Sequence, residues 1–395
     1  MMENNAQLSF FEEIGEENIL SQKLKPIIKW PGGKEKELGQ IKFYAPKEYE
    51  NYYEPFVGGG AVFTAFDAKH LYINDKSKEL INLYRYIRSR DKYFFEWIEF
   101  IIEAWDNILL FVEKNRHLCE LYKQYRNGEI GDDNLKGQIG NFVYAEYDEL
   151  IDVLPTELRL NEDRFIKEVK KSIVHKMMRM KRIETVRNVM PEGDIYDNIE
   201  TSFTGAMYFY FREMYNDECV KYQTELSTAL FVFLRNYAYS GMFRYNDKGC
   251  FNVPYGGISY NHKSLRPKVN MYLSLSLEKH LSKTTIDSLD FEDFLYYYQP
   301  TEKDFIFLDP PYDSEFSTYA QNEFGQDDQR RLADYLCNEC KAKWMMVIKN
   351  TPFIQSLYNR EGIEIKSFNK KYTVSFMNRN EKNVEHLVIM NYKNM

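Results

Sequence analysis

Residues 52–63 read YYEPFVGGGAVF, an apolar lead-in, three adjacent glycines and a continuation compatible with a helix. The stretch predicts a strand, a tight loop and a helix start, because glycine clusters punctuate periodic segments and let the backbone turn sharply. Outward from it, Leu71 to Asp75 (LYIND) reads as a second short strand and Lys76 to Ile87 as a helix. The same rhythm returns toward the other end of the chain. FIFL at 305–308, WMMVI at 344–348 and EHLVIM at 385–390 are compact apolar runs, with helical spacing from Asp327 to Lys341 between the first two. Strands alternating with helices predict an α/β fold in which a mostly parallel sheet carries helices on both faces.

The rhythm is interrupted. From about Asp91 to Ala229 the chain shows long stretches of helical periodicity, such as YFFEWIEFIIEAWDNILLFVEK, and clear strands disappear. Tyr237 to Ile258 then gathers Gly241, Asn246-Asp247, Gly249, Pro254 and Gly256-Gly257 among aromatic residues, which suits a hairpin. The expected organisation is a flexible leader over 1–24, a first part of the sheet domain over 25–90, an inserted mainly helical domain over 91–265 with a hairpin at 237–258, and the rest of the sheet domain over 266–395.

Composition narrows the function classes. The 395 residues are 44% hydrophobic and 28% charged with a net charge of -8, which describes a globular protein and disfavours one that merely coats nucleic acid. The acidic first residues lack a signal peptide's basic and apolar regions, and no window suggests a membrane span, so a cytoplasmic protein is expected. Cys337 and Cys340 form a lone CxxC without a second pair or a nearby His, and no metal site is expected from it. The run Arg164 to Arg187, RFIKEVKKSIVHKMMRMKRIETVR, is strongly basic with only Glu168 and Glu184 opposing. It fits a solvated helix face and a nucleic-acid footprint equally.

Four short segments carry chemistry. Lys29-Trp30-Pro31-Gly32-Gly33-Lys34 offers glycines for close approach, a flat ring and a lysine able to meet a carboxylate. Glu54 to Gly60 ends the first inferred strand, where glycine lets a ligand lie against the main chain of an open α/β sheet. It is neither a dinucleotide fingerprint nor a phosphate loop. Asp75, ending the next strand, can accept from ribose hydroxyls or cap a helix. Asp309-Pro310-Pro311-Tyr312 follows FIFL directly. Prolines stiffen that turn, so the Asp309 carboxylate and the Pro310 carbonyl can act as a fixed acceptor pair for a planar NH2 group, with Tyr312 as a stacking ring; a purely structural turn is the other reading. Tyr239 to Gly256 sets Arg244 among aromatics on the inferred hairpin, where it can read a guanine edge and Pro254 or Met242 can touch a thymine methyl, or where it can serve a salt bridge.

With these segments in hand, the sequence resembles the Dam-type (alpha group) DNA adenine-N6 methyltransferases from about Pro26 to Lys393. KWPGGK, EPFVGGGAVF, IND, FRYNDKGCFNVPYG and DPPY occur here in the family's order. The resemblance implies a Rossmann-like S-adenosylmethionine-dependent methyltransferase sheet with an inserted, mainly helical target-recognition domain plus a β-hairpin. It assigns Trp30, Lys34, Phe56, Gly58, Gly60, Asp75, Asp290 and Phe291 to S-adenosyl-L-methionine, and Asp309, Pro310, Pro311 and Tyr312 to gripping and stacking a flipped adenine. It implies DNA contacts from Tyr239, Ser240, Arg244 and Pro254, and from Lys371 and Arg379 on a last hairpin. Ser240 stands where the best-known GATC enzymes carry Asn, so the recognised sequence stays open, as does a link to restriction-modification. Cytosine-N4 methylation is the neighbouring reaction, since that amine suits the same acceptors, and a DNA-binding relative without catalysis is the rival of a different class. The expected partner is double-stranded DNA, bound by a monomer, with no membrane. Gln7-Leu8-Ser9-Phe10-Phe11 in the leader further resembles the pentapeptide with which bacterial proteins dock on the replication sliding clamp.

Overall fold

The structure is a computed structural model that describes residues 24–311, 324–371 and 383–393, with the backbone alone described at 369–371 and 383–384. The segment Gln7 to Phe11, Tyr312, Arg379 and the Lys371 side chain therefore lie outside the described residues. The chain divides into two compact units, one comprising the residues up to Ser89 and from Asn270 onward, the other Arg90–Val269.

The first unit is built on a seven-stranded sheet. Its strands are β1 (Asn51–Glu54), β2 (His70–Asn74), β3 (Thr284–Asp287), β4 (Phe305–Leu308), β5 (Lys343–Lys349), β6 (Glu364–Lys371) and β7 (Asn383–Met390), in the order β3-β2-β1-β4-β5-β7-β6. The strands from β3 to β5 pair in parallel, while β7 runs antiparallel to both β5 and β6. All four residues of β4 are buried, which is why this central strand is an unbroken apolar run. On one face Ile306, Leu308, Trp344, Met346 and Ile348 pack against Phe294, Leu295, Leu332, Leu336 and Ile354 of the covering helices. On the other, Tyr52, Phe66 and Phe305 form an aromatic cluster. Winding proceeds outward from β1 to β3, then restarts at β4 on the opposite side of β1. Such a reversal opens a ligand crevice at the carboxyl ends of the two strands.

Three features differ from the sequence reading. Strands β3 and β6 carry no compact apolar run to announce them; β3 ends one side of the sheet and β6 the other, where polar residues are tolerated. The helix expected after the glycines stops at a single 3-10 turn, Phe63–Ala65, because Phe66 turns extended and stacks on Tyr52 at 5.6 Å. Finally, the glycines are demanded by the protein itself. A Cβ on Gly59 would overlap the Ile28 carbonyl oxygen, and one on Gly60, at φ +76°, would overlap the Tyr84 hydroxyl, which donates to the Gly58 carbonyl at 3.0 Å.

In the second unit the helix Glu192–Asn216 is buried along most of its length and packs against Lys92–Lys114, Glu162–Glu184 and Thr224–Tyr237. The basic run lies on Glu162–Glu184, which buries Phe165, Val169, Ile173, Met177 and Met180. Several of its cations are engaged within the fold: Arg164 pairs with Glu213 at 2.7 Å, Lys171 with Glu168 at 3.3 Å, and Lys181 donates to the Tyr125 carbonyl at 2.7 Å. The expected hairpin is reduced to isolated antiparallel bridges, Ala238 with Tyr255 and Tyr245 with Phe251. Spaced backbone bonds, among them the Tyr239 N–H to Pro254 and the Asn252 N–H to Arg244, join its two arms without a continuous ladder, and side chains supplement them. No helix among the described residues is long and apolar enough to cross a membrane.

The close approach at Gly59 sets an expectation for stability. Gly59→Ala should lower it by about 1–3 kcal/mol through overpacking. Gly137→Ala, in the helix Asp132–Ala145 with open space around the new methyl, should raise it by up to ~1 kcal/mol. Thermal unfolding of both variants checks this, and a Gly59→Ala protein as stable as its parent would contradict the packing described.

Candidate active site

At the carboxyl edge of the sheet, three loops are stitched together by one buried amide. Asn74, the last residue of β2, donates from Nδ2 to the carbonyls of Pro55 and Leu289, both at 3.1 Å, and accepts from the Leu289 N–H at 2.8 Å. Its own carbonyl accepts from Val57 at 2.9 Å. The loops following β1, β2 and β3 are thereby fixed as a group, carrying Phe56, Asp75 and Asp290 with them. Asp75 accepts from the N–H groups of Gly58 at 3.0 Å and Ser77 at 2.9 Å, one on each oxygen. Burial of the carboxyl outweighs these bonds and raises its pKa to about 6. Asp290 caps the helix Phe291–Tyr298 through the Glu292 N–H and accepts from Arg331 at 2.7 Å. Arg331 also pairs with Glu292 and Asp328, and its guanidinium lies 4.9 Å from the Phe291 ring centre. Phe56 in turn sits 5.6 Å from Phe291.

Across the reversal point, Lys34 is 1% exposed and its ammonium donates to Asp309 at 2.5 Å and to the Gly32 carbonyl at 2.9 Å. A buried ammonium requires such partners, since desolvation of an isolated charge costs several kcal/mol. The carboxylate that Lys34 meets is thus the one following β4. Glu54, at the end of β1, is buried beside this pair. The two-residue period of a strand puts it on the face of Tyr52, whose hydroxyl donates to it at 2.6 Å. Burial pushes the Glu54 carboxyl well above the usual range, with the Asp309 and Asp75 charges adding to the effect and Tyr52 and Lys34 opposing it. Pro310 is buried, and the fully buried Gln329 donates to the Pro311 carbonyl at 2.9 Å, anchoring the turn. Trp30 packs at Gly58, where an added Cβ would lie 2.8 Å from its Cδ1.

The first unit therefore gathers Trp30, Lys34, Phe56, Gly58, Gly60, Asp75, Asp290, Phe291, Asp309, Pro310 and Pro311 on loops at one sheet edge. The donor set suits an adenosyl group. A carboxylate has about four acceptor positions, so Asp75 retains capacity for hydroxyl donors beyond its two backbone partners, and Phe56 with Phe291 provides apolar surface for a flat heterocycle. The N6 adenine-specific DNA methyltransferase family of the D12 class matches residues 30–374 of this chain. The chain belongs to that family. A D12-class enzyme transfers a methyl group from S-adenosyl-L-methionine to the N6 amine of adenine in DNA, which settles the choice between adenine and cytosine. The chain is 26% identical over 377 residues to the Type II methyltransferase M.CviBI of Paramecium bursaria Chlorella virus NC1A, covering 93% of this chain and 100% of that protein. It is 25% identical over 387 residues to the Type II methyltransferase M.MjaIII of Methanocaldococcus jannaschii, covering 93% of this chain and 99% of that one. A DNA adenine methylase of Haemophilus influenzae is 28% identical over 165 residues, 40% of this chain and 54% of the relative.

In the second unit of this D12-class enzyme, Tyr239, Ser240, Arg244 and Pro254 are all exposed on one turn-rich loop. The Tyr239 N–H donates to the Pro254 carbonyl at 2.9 Å, and Ser240 adopts φ +53° in the 3-10 turn Tyr239–Gly241. Arg244 donates to Asn252 at 3.1 Å. Lys371 ends β6 opposite Asn383. The CxxC thiols lie elsewhere: Cys337 is on the helix Gln326–Asn338, and burial pushes Cys340 up to about 11. Asn74, Glu54, Gln329 and Arg331 received no role in the sequence reading. Glu54 and Asn74 stood inside quoted motifs, whereas nothing in the local sequence marks Gln329 or Arg331.

A double-mutant cycle measures the pair at the centre of the site. Lys34→Met should destabilise the protein more in the parent than in an Asp309→Asn background, with a coupling of about 1–3 kcal/mol by thermal or denaturant unfolding. Additive effects would show that the two groups do not interact.

Proposed function

We propose that Asp309 and the Pro310 carbonyl are the acceptor pair for the target amine, on an adenine flipped out of double-stranded DNA at a short specific sequence. The observation that carries this reading is the position of Asp309. It follows the central strand at the sheet's reversal point, ion-paired to the buried Lys34. S-adenosylmethionine, when bound, supplies an electrophilic methyl group. The chain's own contribution is positioning and charge. Two acceptors facing the N6 amine direct its lone pair outward and stabilise the positive charge that develops on nitrogen. Lys34 holds the Asp309 carboxylate in one orientation, beside the role on S-adenosylmethionine that the family resemblance gives it. Asp75 accepts from the ribose hydroxyls, Phe56 and Phe291 flank the adenine of the cofactor, and Trp30, Gly58 and Gly60 shape the loop beneath it.

Base flipping costs a few kcal/mol, offset in part by aromatic stacking, and Tyr312, following the acceptor pair in sequence, is the ring assigned to that task. The unit Arg90–Val269 is the target-recognition domain. Exposure of Tyr239, Ser240, Arg244 and Pro254 together on one loop supports a reading surface. Similarity to Type II methyltransferases over nearly the whole chain favours a modification enzyme of the restriction-modification kind.

Expression in a methylation-deficient bacterial host, followed by single-molecule sequencing, tests the reading. N6-methyladenine at one short motif is expected, and none with Asp309→Ala; methylation that survives this substitution would remove Asp309 from the reaction. A pH series tests the cofactor assignment. The folded Asp75 carboxyl keeps its proton to about pH 6, against the ordinary 3.8. This group alone therefore favours the fold at low pH, a contribution lost as pH rises from 3.8 to 6. Binding has the opposite sign, since hydroxyl donors need the charged carboxylate. Affinity for S-adenosylmethionine should be level above about pH 7 and fall toward tenfold per unit well below 6. An equally steep fall in Asp75→Asn, measured by calorimetry, would assign it to another group.

A further inference from the structure

The loop 239–256 forms no continuous strand ladder, only spaced backbone bonds between its two arms, and side chains from outside it complete its support. Asn216, the last residue of the helix Glu192–Asn216, donates from Nδ2 to the Phe251 carbonyl at 3.0 Å and accepts on Oδ1 from the Phe251 N–H at 2.8 Å. A single amide side chain thus engages both backbone groups of one residue, as a neighbouring strand would. Phe251 is in turn the residue bridged to Tyr245, directly beside Arg244. Arg244 and Asn252 form the next step outward from this pair, joined by the Asn252 N–H to the Arg244 carbonyl at 3.1 Å and by Arg244 Nε to Asn252 Oδ1.

The same helix supports the loop at further points. The Tyr208 hydroxyl donates to the Val253 carbonyl at 3.0 Å, next to Pro254, and the Tyr215 hydroxyl meets that of Tyr245 at 2.9 Å. From the helix Thr224–Tyr237, the buried Arg235 guanidinium lies 4.6 Å from the ring centre of Phe243, on the other side of Arg244. Phe243 and Phe251 are both buried beneath an exposed Arg244. The apolar rings therefore fasten the loop inward while the polar residues between them point to solvent.

We infer that Asn216 is a positioning residue for sequence discrimination: by holding Phe251 from both backbone groups it fixes the register of the Arg244–Asn252 segment against the target site. The inference rests on the reading of this loop as the DNA-reading surface. A side chain that reads a base edge must be placed to within a fraction of an ångström, and a wrong base costs about 1–3 kcal/mol only if the reader cannot shift to accommodate it. Freeing Phe251 lets the segment adjust, so the penalty against wrong sites should fall before right sites lose affinity. Asn216→Asp can still accept from the Phe251 N–H but cannot donate to its carbonyl, so it should fall between the parent and Asn216→Ala.

The test uses the full chain, with the motif found by genome sequencing as the cognate duplex and its single-base variants as competitors. In Asn216→Ala, the ratio of kcat/KM for cognate over near-cognate duplexes should fall about tenfold, carried mainly by KM, with Asn216→Asp intermediate. Affinity for S-adenosylmethionine should be unchanged. Near-cognate methylation should also appear in the host genome. Arg244→Ala separates the two claims. If Arg244→Ala lowers discrimination and Asn216→Ala at matched folded fraction does not, the positioning role is wrong. If neither changes it, the loop is not the reading surface and the inference falls with that reading. Loss of activity toward all duplexes alike in both Asn216 variants, with discrimination intact among the folded molecules, would mark Asn216 as a stability residue and overturn the inference.

Discussion

A lysine ammonium with 1% exposure cannot stand without an anion, and in this protein the anion is the Asp309 carboxylate. That single requirement ties the segment ahead of β1 to the turn after β4, two parts of the chain 275 residues apart. It holds a carboxylate at the point where the strand order reverses, and a carboxylate held there can direct an amine. Glu54 next to the pair is kept toward its neutral form by burial and by the neighbouring negative charges. The site thus holds one carboxylate that is paired and one pressed toward protonation, and crowding of two anions at the end of β1 is relieved.

The rest of the edge is arranged by one neutral amide and one ion-pair network. Asn74 binds the loops after β1 and β3 to β2, while Arg331 draws Asp290 and Glu292 to the helix Gln326–Asn338. The amide brings no charge out of water, and the half-buried guanidinium fixes geometry through several oriented bonds at once. Glycine serves the same purpose in a way the sequence reading did not foresee. Gly59 and Gly60 are required by the Ile28 backbone and the Tyr84 hydroxyl, so the loop is pressed into shape by the protein and presents an already formed surface.

Legibility followed burial. Strands β1, β2, β4, β5 and β7 were readable because buried strands are written as apolar runs, and FIFL coincides with β4 residue for residue. The strands at the two sides of the sheet, β3 and β6, were not, since they need less apolar surface. The hairpin was inferred from turn residues, and its two arms do meet through spaced backbone bonds and bridges; the support Asn216 adds at Phe251 comes from a distant helix and leaves no periodicity to detect. Motifs named the candidate residues that the sheet edge carries; they did not give the partnerships. Lys34 with Asp309, Gln329 with Pro311 and Arg331 with Asp290 are each contacts between distant segments, which local pattern cannot encode. The family resemblance supplied the order of the motifs, and the fold supplied what each is pressed against.

The account stands on the cofactor and the acceptor pair sharing the crevice between β1 and β4. A crystal structure of the protein with S-adenosylhomocysteine tests this most directly. The account predicts ribose hydroxyls on Asp75, the adenine ring beside Asp290 and Phe291, and the sulfur facing Asp309. A ligand bound elsewhere on the sheet edge, or one that leaves both Asp75 and Asp309 untouched, would contradict it.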